Sequence, residues 1–152
     1  MRGVYTSSFQ IAGLTTGRTL LYITVPTGKV DELLSAAVTN PQNETNEQLD
    51  IHWQKVNSLG TPVGTTVTPA KHEQGDQAAG STTVFNVTAS EPTYVANTEL
   101  ARDGVASVGG WYENPTPEER PIFASGDTWG LRLRNSPAAV DLNIRMTFRE
   151  IG

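Results

Sequence analysis

A chain of 152 residues is the length of one domain and can bury a real core without covalent staples. It contains no cysteine, which excludes disulfides, thiolate zinc sites, iron–sulfur clusters and thiol chemistry. A net charge of −5, with 37% hydrophobic and 18% charged residues, argues against a general binder of nucleic acid or anionic membranes.

Small polar residues fill the composition: 20 Thr stand against 3 Lys and 2 Met, and 14 Gly with 9 Pro supply turns. That usage predicts an all-β chain rather than a helical bundle, a coiled coil or a disordered segment. Charge is unevenly placed, +2 over residues 1–28, −9 over 29–119 and +2 over 120–152. Two readings stand side by side: a solvated surface with chance asymmetry, or a domain with one acidic face and another that meets an acidic partner.

No apolar stretch of signal-peptide length follows Met1, and no run approaches the ~18 residues that span a bilayer. Synthesis in a cytosol is the expectation. The Asn43–Thr45 and Asn86–Thr88 glycosylation patterns read as coincidences in a Thr-rich chain.

In chain order, Val4 to Ile11 and Thr19 to Val25 are β-branched or aromatic runs separated by Gly13 and Gly17. Glu32 to Thr39 alternates loosely, as a strand or as one helical turn followed by a strand. Asn40 to Asn46 is a polar loop. Leu49, Ile51 and Trp53 then face inward, with Asp50, His52 and Gln54 outward. Residues 60–80, with 4 Gly and 2 Pro, form a long excursion. Ser81 to Thr88, Thr93 to Leu100, Val105 to Tyr112 and Pro121 to Ala124 read as further strands. Pro117-Glu118-Glu119, capped by Thr116, has the form of a short helix start. Trp129, Leu131 and Leu133 alternate with Gly130, Arg132 and Arg134. After the turn Asn135–Ala139, Val140, Leu142, Ile144, Met146 and Phe148 repeat the pattern, and the two runs read as a hairpin. The expected fold is all-β: a single antiparallel β-sandwich over 1–152, jelly-roll-like, with about eight to ten strands.

The sequence offers no catalytic constellation. The two histidines, His52 and His72, lie in separate segments, so a metal site formed with Glu73 or Asp76 is disfavoured. Adjacent carboxylates at Asp31-Glu32 and Glu118-Glu119 seldom converge on one bond. No nucleophile elbow, phosphate loop or dinucleotide fingerprint occurs. The expectation is a non-enzyme without cofactor or metal. Trp53 and Trp129 fall in step with core residues. Trp111 and Tyr112, after Gly109-Gly110, are candidates for an exposed aromatic contact with a sugar or a neighbouring subunit. Arg132, Arg134, Arg145 and Arg149 share the outward side of the expected hairpin, a candidate interface because arginine suits flat bidentate contacts.

Three stretches carry a family resemblance: Arg2-Gly3-Val4-Tyr5 with Ser7-Ser8-Phe9, Thr68-Pro69-Ala70-Lys71-His72-Glu73-Gln74-Gly75-Asp76, and Gly110-Trp111-Tyr112 leading into Pro115-Thr116-Pro117-Glu118-Glu119-Arg120. With the closing Phe148-Arg149-Glu150-Ile151-Gly152, the chain resembles small structural proteins of tailed phages and prophages, of the head-decoration kind. The resemblance implies a virion role on the capsid surface after synthesis in a bacterial cytoplasm. The implied partners are the major capsid protein and further copies of the chain, a trimer being favoured, with no nucleic acid and no membrane. The Arg-bearing chain ends, with Arg2 and Tyr5 at the first, then become docking elements. The alternative is a carbohydrate-binding or host-attachment module of a tail or fibre that uses Trp111 and Tyr112.

Overall fold

The computed structural model describes residues 2–41 and 46–152, with the Arg2 side chain outside the description. The Asn43–Thr45 pattern and most of the polar loop 40–46 therefore lie outside the described residues. In chain order the strands are β1 (Arg2–Leu14), β2 (Thr19–Thr24), β3 (Val30–Thr39), β4 (Gln48–Ser58), β5 (Val63–Val67), β6 (Ala70–Lys71), β7 (Thr82–Ala89), β8 (Thr93–Tyr94), β9 (Ala101–Ala106), β10 (Trp111–Glu113), β11 (Ile122–Phe123), β12 (Thr128–Leu133) and β13 (Val140–Ile151). Nine of them have five or more residues, in line with the eight to ten expected. The other four are pairings of two or three residues.

Two antiparallel sheets pack face to face. Sheet A runs β10-β3-β13-β1-β6, with β11 also on β3. Sheet B runs β5-β7-β2-β12-β4-β8, with β9 also on β4. Each layer buries alternate side chains, as a two-residue repeat dictates. β13 turns Val140, Leu142, Ile144, Met146 and Phe148 inward, and β4 turns in Leu49, Ile51 and Trp53. Trp53 is 1% exposed, and its ring lies 5.8 Å from that of Phe123, which stacks on Trp129 at 5.2 Å. β1 continues past Gly13 to Leu14, and the register slips between Ile11 and Leu14. Gly13 absorbs the slip at φ 61°, a left-handed conformation that glycine adopts without strain.

Four expectations need correction. β12 and β13 do not pair: β12 lies between β2 and β4 in sheet B, whereas β13 lies between β1 and β3 in sheet A. The link 134–139 passes from one layer to the other. Alternation marks which side chains face the core, and both layers face the same core, so the pattern does not reveal the pairing partner. The run Val105 to Tyr112 divides for the same reason. β9 pairs with β4 in sheet B, and the chain turns where Gly109 and Gly110 both donate to the Ala106 carbonyl. β10 then pairs with β3 in sheet A. Thr93 to Leu100 contributes only the short β8. The Pro117-Glu118-Glu119 start gives one turn, with Glu119 N–H bonded to the Thr116 carbonyl at 2.9 Å and Thr116 Oγ1 donating to Glu119 Oε2 at 3.0 Å. No helix occurs among the described residues. β3 is a strand throughout, without a helical turn.

Segment 91–100 lies across the outer side of sheet B. Val95 N–H bonds the Lys55 carbonyl at 2.9 Å, Leu100 N–H bonds the Trp53 carbonyl at 2.8 Å, and Gln54 Nε2 donates to the Val95 carbonyl at 2.8 Å. His52, on the outward side as its alternation implies, is consequently 4% exposed rather than in water. Gly130 makes room for this cover, since a Cβ there would stand 2.6 Å from the Tyr94 hydroxyl.

Candidate functional site: the outer face of sheet A

The register of β10, β3, β13 and β1 sets side chains in rows across the outer side of sheet A. One row reads Tyr112, Ala37, Arg145 and Ser8. The next row towards the end of β3 reads Thr39, Asn143 and Gln10. In the other direction come Ser35, Thr147 and Thr6, then Glu32, Arg149 and Val4. Two candidates read from separate parts of the sequence, Tyr112 and Arg145, thus share a row, with only the small Ala37 between them.

The two halves of this face differ. In the lower half Thr6 Oγ1 meets Thr147 Oγ1 at 2.8 Å and His72 Nε2 at 2.7 Å. Glu32 accepts from Arg149 at 2.9 Å and from Arg120 at 3.2 Å. These groups satisfy one another. In the upper half, Ser8, Gln10, Thr39, Asn143, Arg145 and Tyr112 have no side-chain hydrogen bond or ion pair among the described residues. They line an open groove of about 600 Å³, and the Tyr112 ring is 58% exposed. Solvated donors and acceptors on a stiff sheet, beside a flat ring and a guanidinium, suit a partner that supplies matching polar groups. Sequence reading missed Ser8, Gln10, Thr39 and Asn143, since only the strand register brings residues so far apart in the chain onto one surface.

The remaining candidates have other roles. Trp111 is 3% exposed, and its indole N–H donates to Asp103 Oδ2 at 2.8 Å, so it is a core ring and not a surface contact. Tyr5 is also 3% exposed, its ring lies tilted against that of Phe148 at 5.6 Å, and its hydroxyl donates to the Gln77 carbonyl at 2.9 Å. Alternation puts both inward. The four arginines do not share one face, because β12 and β13 belong to different sheets. Arg132 lies on sheet B, 4.2 Å from the centroid of the Tyr94 ring, and donates to Gln54 Oε1 at 3.3 Å. It fastens segment 91–100. Arg134 is exposed on that sheet's side without a side-chain partner among the described residues. Arg149 is paired with Glu32 at 2.9 Å, so of the four only Arg145 remains on the outer face of sheet A without a partner among the described residues.

A second charged arrangement lies inside the sandwich. Asp31 and Glu150 stand directly opposite each other on β3 and β13, and both are buried. Glu150 is well served: Oε2 accepts from Gly80 N at 2.8 Å, Ser81 N at 2.9 Å and the Ser81 hydroxyl at 3.2 Å, and Oε1 lies 3.3 Å from Lys29 Nζ. Neither oxygen of Asp31 has a hydrogen-bond partner among the described residues. Desolvation pushes Asp31 up to about 6, with the Glu150 charge adding to the rise. The one Ser81 hydroxyl proton goes to Glu150, so together with Lys29 it offsets only part of this. No group of three or more metal-ligating side chains occurs among the described residues. Comparison with family models, with curated proteins and with solved structures gives no match.

Proposed function

We propose that the chain is a non-enzymatic structural protein of a virion, a capsid decoration protein that docks on the outer surface of a phage head through the upper half of the outer face of sheet A. Two things support this reading: the phage-protein resemblance of the three sequence stretches, and the row Tyr112–Ala37–Arg145–Ser8 with its unpaired polar neighbours. The row is the observation that carries it, because a rigid sheet presents it with its donors and acceptors already positioned. The major capsid protein is the proposed partner, and repeated copies on a symmetric shell turn weak single contacts into firm attachment.

The exposure of the Tyr112 ring beside hydroxyl and amide groups favours one second reading, a carbohydrate-binding or host-attachment module. Sugars stack on such rings and bond to such neighbours. Co-sedimentation of the purified chain with heads that lack it separates the two. Wild-type chain is expected to pellet with the heads, and Arg145→Ser and Tyr112→Ala to lose about tenfold in apparent affinity or more. Unchanged pelleting of both variants refutes the face as the docking surface. Absence of pelleting together with Tyr112-dependent binding on a glycan array replaces the decoration reading with the second.

A further inference from the structure

The three longest stretches of the chain without a charged residue are 3–17, 56–70 and 77–90. At the chain's 18% charged fraction, these 44 positions would hold about eight. The fold collects most of these residues on one flank, Val56–Ser58 excepted, which end β4 on the far side of sheet B. β1 closes sheet A on that side apart from the two-residue β6, and β7 and β5 close sheet B. The two layers meet there through Ser7 Oγ and Thr83 Oγ1 at 2.8 Å, Thr83 Oγ1 donating to the Val67 carbonyl at 2.8 Å, and the Phe9 and Phe85 rings at 5.7 Å.

Both layers end on this flank in an unpaired strand edge among the described residues. β6 covers β1 only at Tyr5 and Thr6. His72 N–H bonds the Val4 carbonyl at 3.0 Å, which fixes the side to which alternate residues of β1 point their backbone groups. Ser8 and Gln10 therefore direct N–H and C=O away from β13 into open space. From Ser7 to Ile11 this edge carries no lysine, no proline and no bulge, the devices that normally guard an exposed strand. β5 likewise carries no lysine or proline, although its register shifts between Val63 and Thr65, and Val63 is 56% exposed.

The geometry points to this flank as the surface on which a second copy of the chain docks, β1 antiparallel to β1 about a two-fold axis, with the β5 edges alongside. Antiparallel pairing about a two-fold sets residues next to the axis against their own copies, so a charge at the centre of the seam would face a like charge. Two bodies of net charge −5 can meet with little of that repulsion where the seam itself is uncharged, and Ser7 to Ile11 with β5 meet the requirement, Lys71 and Asp141 lying at the two ends of the open β1 edge. Unpaired backbone groups supply the recognition, and they select a strand edge over a charged surface.

Sedimentation velocity and amide hydrogen exchange on the full chain test this. The wild type is expected to form a dimer, with the Ser8 and Gln10 amides protected in it and fast-exchanging on dilution. Ala12→Lys and Val63→Lys add positive charge to each half of the seam and are expected to raise the dissociation constant about tenfold or more, with the melting curve unchanged. Ala124→Lys, an equal change of charge off the flank, is expected to leave the dimer intact. A wild-type monomer up to millimolar concentration overturns the proposal. So does a trimer, a dimer indifferent to both flank lysines, or a dimer equally weakened by Ala124→Lys.

Discussion

Asp31 is a charge that the fold holds at its own expense, and replacing it with an amide is expected to stabilise the protein at neutral pH. Its carboxyl is buried opposite Glu150 without a hydrogen bond, and burial moves it from 3.8 to about 6. An acid whose folded value is raised is bound more tightly to its proton in the folded state. Below about pH 4 both states are protonated and no penalty exists. As pH rises towards 6 the unfolded chain ionises first, and folding stability falls. Above that range the loss is constant. A shift of about two units corresponds to about 3 kcal/mol at most, and relaxation around the ionised group reduces it to about 1–3 kcal/mol. Asp31→Asn removes the charge at nearly constant shape. The expected gain at pH 8 is about 1–3 kcal/mol, or roughly 2–10 °C in melting temperature for a domain of this size. The gain shrinks towards zero below pH 4. Urea melts of both proteins at pH 3.5, 5, 6.5 and 8 measure it. A variant less stable than wild type at pH 8, or a gain that does not change with pH, refutes the account of Asp31.

Other expectations concern packing and the division of labour among the arginines. Trp53→Ala, at one end of the aromatic group Trp53–Phe123–Trp129, is expected to cost about 3–5 kcal/mol in urea unfolding. A loss under about 1 kcal/mol contradicts its core position. Arg132→Ser is expected to cost about 1–2 kcal/mol, because it removes both the contact with Tyr94 and the bond to Gln54. Arg145→Ser is expected to change stability by less than about 0.5 kcal/mol. Equal effects of these two substitutions on unfolding would contradict the placement of Arg132 as a fastening and Arg145 as a free surface group.

The layers of the fold were legible where alternation is long. The five inward side chains of β13 and the three of β4 follow directly from period-two spacing, and Thr-rich composition pointed to strands everywhere. The partners of those strands were not legible. Inner faces of two opposed sheets have the same pattern, so β12 and β13 read as neighbours although they lie in different layers. His52 shows the same limit in another form: its side of the strand was readable, but the cover of segment 91–100 was not. At the candidate site, Tyr112 and Arg145 were singled out for their chemistry, whereas Trp111 was misjudged because the turn before it reverses which neighbour faces water. Ser8, Gln10, Thr39 and Asn143 are ordinary polar strand residues, and only strand register makes them a group.

The pairing of β1 with β13 has a kinetic consequence. More than a hundred residues separate the two strands, and β13 is the middle of sheet A, between β1 and β3. During synthesis β1 has no long partner until β13 has emerged, after every strand of sheet B, so its bare edge waits while that sheet is already available to form. Such long-range closure predicts folding on the millisecond-to-second scale rather than in microseconds. A chain truncated before residue 140 keeps every strand of sheet B but loses the centre of sheet A, and its first strand is left as a sticky end.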